Sequence, residues 1–264
     1  MPDTASHDLT DRQVQYTPSV RGILSYGTHV PFRRLDRSAI TEFTGAGGGK
    51  GARSVASYDE DTTTMGAAAA RLAVASRQDA VPSAVWFSTA EPAYLEKTNA
   101  NAIHAALQLP SSTIALDFGG AVRSGIGALA AALGAAGSTV LSVAADIRTG
   151  LPTGGDEAAG GDAAAAVLAG EGEEHELVAE YLGAASATAE FLDRWRVPGD
   201  PQTRQWEERF GETQYNPLAR QAWDAALRDA GLDGVDLVVV TGVHARAQRQ
   251  VAKLVGEATL VDDL

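Results

Sequence analysis

No cysteine occurs in the 264 residues, which removes disulfides, thiolate metal sites and cysteine nucleophiles together. Cations are scarce. Lys and Arg number 21 against 34 Asp and Glu, for a formal charge of −13. Such a surface repels phosphate backbones and anionic lipid, which argues against nucleic acid and membrane as partners. Long apolar runs are also missing, since none approaches the ~20 residues that span a bilayer. The first twenty residues, MPDTASHDLTDRQVQYTPSV, have neither a basic start nor an apolar stretch. No secretory signal is expected there, and the expected location is the cytoplasm. Four of the five histidines show no metal-ligand spacing, and no metal is expected. His7, His29, His104 and His175 receive no role.

What is present is ordinary globular material. Hydrophobic residues make up 45% and charged residues 21%, enough to build a core without covalent staples. Residues 1–20 are polar and aperiodic and read as a mobile arm. From Arg21 onward, apolar runs alternate with alanine-rich stretches of helical period. Strands are expected near 22–30, 84–89, 113–118 and 138–146, and again at AAAAVLAG and LVAEYLGAA. Helices are expected at MGAAAARLAVAS, opened by Thr62–Thr64, at NANAIHAALQL and at GIGALAAALGAAG. This alternation predicts an α/β protein whose sheet is buried on both faces.

Residues 151–190 carry nine acidic side chains and no Lys or Arg, which reads as a solvated surface rather than a metal site. The Pro- and charge-rich stretch 191–212 reads as a connection anchored by Trp195, Trp206 and Phe210. It separates a first half, 21–190, from the start of a second, 213–264. Laying residues 61–91 over 214–244 pairs Met65 with Leu218, Ala69 with Ala222 and Val74 with Leu227. It also sets AVWFST (84–89) over LVVVTG (237–242), which predicts a further strand near 236–242. The pattern is an internal repeat, and it places Glu91 opposite His244. Both follow the carboxyl ends of equivalent strands, where α/β sheets build their sites.

The segments RGILSYGTHVPFRRLDRSAI, SVASYDEDTTTMGAAAARLA and WFSTAEPAYLEKTNANAIHAAL resemble the hydroxymethylglutaryl-CoA synthase branch of the thiolase superfamily, in its bacterial and archaeal form. LDFGGAVRSGIGAL, AADIRTG, AAGGDAAAAVLAG, FLDRWRVPGD and TGVHARAQRQVAKLVG extend the likeness over about residues 21–260 in family order. The resemblance implies two related βαβαβαββ halves stacked in α-β-α-β-α layers, with the second half incomplete. It implies strands beyond Leu264, supplied either by more of the same chain or by a second one.

Three positions carry the chemistry that the resemblance implies. Glu91 matches the general acid/base. His244 matches the histidine that binds and polarises the second acyl-CoA, and Arg249, five residues on, matches a basic contact to the CoA moiety. The acyl-accepting cysteine belongs in GG-x-C-R-x-G, which here reads GGAVRSG, so Val122 stands at the nucleophile position. Valine has no lone pair and forms no thioester. Ser124 is the alternative nucleophile, although helical spacing turns it roughly 200° away from Val122. For Glu91 the expected setting is between apolar strands, and the bland alternatives are a helix cap for Glu91 and a backbone-bonded strand end for His244. GAGGGKG (45–51) fails as a phosphate loop because Gly51 follows Lys50 where Ser or Thr is required. A mobile glycine loop remains, with Lys50 or Arg53 near a CoA phosphate.

Beside a true hydroxymethylglutaryl-CoA synthase, which the resemblance implies and whose chemistry Val122 opposes, two functions stay open at this point. One is a non-catalytic acyl-CoA-binding or scaffolding subunit of an acyl-CoA-processing complex. The other is a lyase or acyltransferase, such as an aldolase or retro-aldolase, that acts on a CoA thioester through Glu91 and His244 with an OB-fold partner. No resident cofactor is expected, and a coenzyme A thioester is the expected ligand. Expected partners are a second copy of the chain, through the strand near TIALDFG, and an OB-fold/zinc-ribbon or thiolase protein.

Overall fold

The computed structural model describes residues 20–173, 175–200, 202–255 and 258–261; the expected N-terminal arm lies outside them. The chain opens with strand β1 (Arg21–His29). A small unit follows, made of β2 (Arg33–Asp36), α1 (Arg37–Thr44) and β3 (Ala52–Val55). Helix α2 (Thr62–Ala75) starts where Asp61 accepts from the Thr64 amide and the Thr64 hydroxyl accepts from the Asp61 amide. This reciprocal cap satisfies two of the helix's orphan donors. Next come β4 (Ala84–Thr89), α3 (Ala100–Ala106), β5 (Ile114–Gly119), α4 (Arg123–Gly134) and β6 (Val140–Asp146). A short α5 (Gly155–Ala159), β7 (Ala163–Glu171) and the two-residue β8 (Ala179–Glu180) complete the first half.

These strands form one six-stranded sheet in the order β5-β4-β6-β7-β1-β8. β4 is parallel to β5 and β6, while β7 runs antiparallel between β6 and β1. The carboxyl ends of β1, β4, β5 and β6 therefore share one edge. Helix α2 covers one face with Met65, Ala69, Ala70 and Ala73, all fully buried against Leu24, Phe87, Ile103, Val143 and Leu168. The approach is close. A Cβ on Gly27 would sit 2.3 Å from the Ala69 carbonyl oxygen, so only glycine lets α2 lie this near β1.

The strand expected over LVAEYLGAA shrinks to Ala179–Glu180, paired with Gly22 and Ile23 of β1. Gly22 again permits the contact, because a Cβ there would lie 2.0 Å from the Ala179 carbonyl oxygen. The Val178 and Tyr181 amides still donate to the Ile23 and Arg21 carbonyls of β1, at 2.7 and 2.8 Å, and the strand goes no further. The connecting stretch contains β9 (Arg194–Trp195) and β10 (Arg204–Gln205), a two-stranded ladder on which the Trp195 and Trp206 rings meet at 6.5 Å. Phe210 packs edge-on to Phe191 at 6.2 Å.

Helix α6 (Glu208–Ala230) begins the second half. Strand β11 (Leu237–Val239), α7 (Ala245–Ala252) and β12 (Thr259–Val261) follow, with β11 parallel to β12. The order helix, strand, helix, parallel strand repeats that of α2-β4-α3-β5. The strand expected over 236–242 is shorter than its counterpart. Its only ladder among the described residues is to β12, whereas β4 is paired on both sides. Among the described residues, no helix is long and apolar enough to cross a membrane.

Candidate functional site

Glu91 stands two residues beyond β4, and its backbone is held from both sides. Its amide donates to the Thr89 hydroxyl at 2.9 Å, and its carbonyl accepts from the Thr62 hydroxyl at 2.8 Å. Asp146, at the end of β6, accepts from the Ala90 amide at 2.7 Å and from the Thr89 hydroxyl at 3.2 Å. Arg148 pairs with the other oxygen of Asp146 at 2.9 Å. The turn after β4 is thus tied to the end of β6. The expected apolar setting for the Glu91 carboxylate is not what the structure presents. Arg196 donates from Nη1 to Glu91 Oε2 and from Nη2 to the Ala90 carbonyl, so a guanidinium fork grips the turn.

Sequence reasoning gives Arg196 no role, although FLDRWRVPGD offers a signal. Arg194 and Arg196 flank Trp195, and residues two apart in an extended stretch face the same side. Asp156 on α5 takes Arg194 in two bonds of 2.6 and 2.9 Å. Burial alone would raise the Asp156 carboxyl, but the hydrogen bonds and charge of Arg194, with the charge of Arg148, hold it below the usual carboxylate range. Asp193, one residue earlier, accepts from the Tyr215 hydroxyl of α6. Burial pushes the Tyr215 phenol up, and the bond to Asp193 and its negative charge add to the rise.

His244 caps α7, where its Nδ1 accepts from the Ala247 amide at 3.2 Å. In the neutral ring the proton then sits on Nε2, leaving an N–H donor for another group. The ring lies edge-on to Tyr215 at 6.2 Å. Glu91 and His244 are therefore linked through one stretch: Glu91 to Arg196, Asp193 to Tyr215, Tyr215 to His244. Arg249 is exposed in the last turn of α7, a position that favours a cation whatever its role.

Val122 is exposed at the amino end of α4, just after β5. Beside it, Arg123 donates to the Ser186 and Thr188 hydroxyls and to the Ala187 carbonyl. The Ser124 hydroxyl donates to the Gly119 carbonyl at 2.9 Å. Arg53 corrects a second expectation. It points inward, with 6% of its side chain exposed, and donates to Asp162 and to the carbonyls of Arg148, Asp156 and Glu157. A guanidinium so occupied has no donor turned toward a phosphate in solvent. A groove of about 570 Å3 lies elsewhere, lined by Leu24, Tyr26, Arg77, Glu176 and Leu177, and includes none of these residues.

No protein-family model matches the chain. Curated relatives do. The hydroxymethylglutaryl-CoA synthase of Pyrococcus furiosus is 30% identical over 245 residues, covering 89% of this chain and 69% of the relative. That of Thermococcus sibiricus is 31% identical over 202 residues, covering 74% and 57%. Among solved structures, a hydroxymethylglutaryl-CoA synthase complexed with CoA superposes with a TM-score of 0.77 at 17% identity, covering 90% of this chain and 64% of that one. The fold is thiolase-like, and the chain spans roughly three fifths to two thirds of the length of these proteins, so the second half is incomplete relative to theirs. By the extent and level of its identity to these synthases, the chain belongs to the hydroxymethylglutaryl-CoA synthase family.

Proposed function

We propose that this chain binds a coenzyme A thioester at the carboxyl-end edge of its main sheet without taking the acyl group onto the protein. It serves as a degenerate, scaffolding subunit of an acyl-CoA-processing complex in the cytoplasm. One observation carries this reading: the residue at the amino end of α4, in the GGAVRSG segment, is Val122, and the sequence contains no cysteine. A family member solved with CoA supports the ligand class. Arg249 contacts the CoA moiety in this reading. The partners are a second copy of the chain and an OB-fold/zinc-ribbon or thiolase protein. Calorimetric titration with acetyl-CoA, followed by intact-protein mass spectrometry, tests it. Binding without an acetyl mass increment is expected. Acetylation of the natural protein, or no binding at all, overturns it.

A second reading is carbon–carbon bond formation or cleavage on a CoA thioester with no acyl-enzyme. The capping geometry of His244 favours it, because an Nε2–H can donate to a thioester or ketone oxygen as negative charge gathers there. Glu91 would take the proton from the carbon beside the carbonyl. Deuterium from D2O should then enter the methyl group of acetyl-CoA, alone or with an OB-fold partner, and Glu91→Ala should abolish the exchange.

A further inference from the structure

We infer that Arg196 is the positioning residue of the candidate base: it fixes the direction in which the Glu91 carboxylate faces the site. The inference rests on the second reading above, in which Glu91 is the base. The backbone of Glu91 is already immobilised by Thr62 and Thr89, so the side-chain torsions are what remain free. Arg196 sets them by bonding Glu91 Oε2 and the Ala90 carbonyl with the two arms of one guanidinium. Such a fork defines a direction as well as a charge, which an ammonium group does not.

Arg196 is itself held in place. Arg194, two residues before it, is clamped by Asp156 in two bonds, and Asp193 is held by Tyr215. The stretch 193–196 thus enters the site already anchored to both halves. Side chains of 24% exposure for Arg196 and 44% for Glu91 leave the pair open to solvent on one side. A substrate can therefore reach the second carboxylate oxygen while the first stays bound. Removing the guanidinium frees Glu91 to turn outward without touching the core.

Carbodiimide coupling of glycinamide to carboxyl groups, read by peptide mass spectrometry, tests this without requiring turnover. In Arg196→Gln, Glu91 should label about fivefold faster than in the natural protein, the scale of losing one partly exposed ion pair. Asp146 and Asp156 should label at unchanged rates. Millimolar guanidinium should slow the labelling of Glu91 again, and Arg196→Lys should fall in between. Unchanged labelling of Glu91, or a common rise at Glu91, Asp146 and Asp156, overturns the inference, because the latter is the signature of local unfolding. Deuterium exchange into acetyl-CoA is measured in parallel. If the labelling contrast holds while no exchange occurs, the positioning role of Arg196 stands and the base role of Glu91 falls.

Discussion

Arg53 Nη2 donates to Asp162 Oδ1 at 3.0 Å, with 6% and 2% of the two side chains exposed. Asp162 also accepts from the amides of Ala56 and Arg148, each at 2.8 Å. One carboxylate therefore joins the β2-α1-β3 unit to the end of β6 and the start of β7.

Asp162→Ala should leave a buried guanidinium without its counter-charge and two amides without their acceptor. A loss of about 3–5 kcal/mol is expected, as for other buried pairs broken on one side. Urea unfolding measures it, and a loss below about 1 kcal/mol would show that water replaces the carboxylate there.

The pair of Asp156 and Arg194 predicts a pH dependence. The folded-state carboxyl sits below the ordinary value of 3.8, so the unfolded chain binds more protons in mild acid. The stabilisation is complete above the unfolded value and disappears as pH falls through the folded one. The stability difference between the natural protein and Asp156→Asn should be constant above about pH 5 and shrink below about pH 4. A difference that grows in acid contradicts the assignment.

Strand β5 is one of the two outer strands of the six-stranded sheet, and Ile114 and Leu116 on it are exposed. An uncovered edge with apolar side chains favours antiparallel pairing with a copy of itself. Light scattering at micromolar concentration should report a dimer, and Leu116→Lys should shift it to monomer. A stable monomer in the natural protein refutes the pairing.

Val122→Cys should place a thiol at the amino end of α4, where the helix dipole and free amides lower its pKa. Incubation with acetyl-CoA should then add one acetyl group to the variant and none to the natural protein. Reaction with iodoacetamide but not with acetyl-CoA would mean that the neighbouring pocket no longer admits an acyl chain.

The alternation of apolar runs located β1, β4, β6 and β7 because each places several side chains in the core, and burial leaves a periodic trace in the residues; β5 is as apolar, although its Ile114 and Leu116 are exposed. The β2-α1-β3 unit left no such trace. Ile40 is the buried residue of α1, and the buried side chain of β3 is an arginine. The length of β8 was equally hidden, since it depends on which residues meet β1 and where Gly22 allows contact.

By itself the sequence determined the order of the main-sheet strands β1, β4, β5, β6 and β7 with helices α2, α3 and α4, the repeat that sets Glu91 opposite His244, and the absence of any thiol to hold an acyl group. These follow from local composition and period, which each segment carries wherever it lies. Only the tertiary structure decided which charges meet. Arg196 grips Glu91 across 105 positions, and Arg53 reaches Asp162 across 109. Such pairs combine residues common on any surface, and nothing local distinguishes a guanidinium bound for solvent from one bound for a carboxylate. Packing makes that choice, within the first half for Arg53 and between the first half and the connecting stretch for Arg196, because a charge drawn out of water must find its partner there.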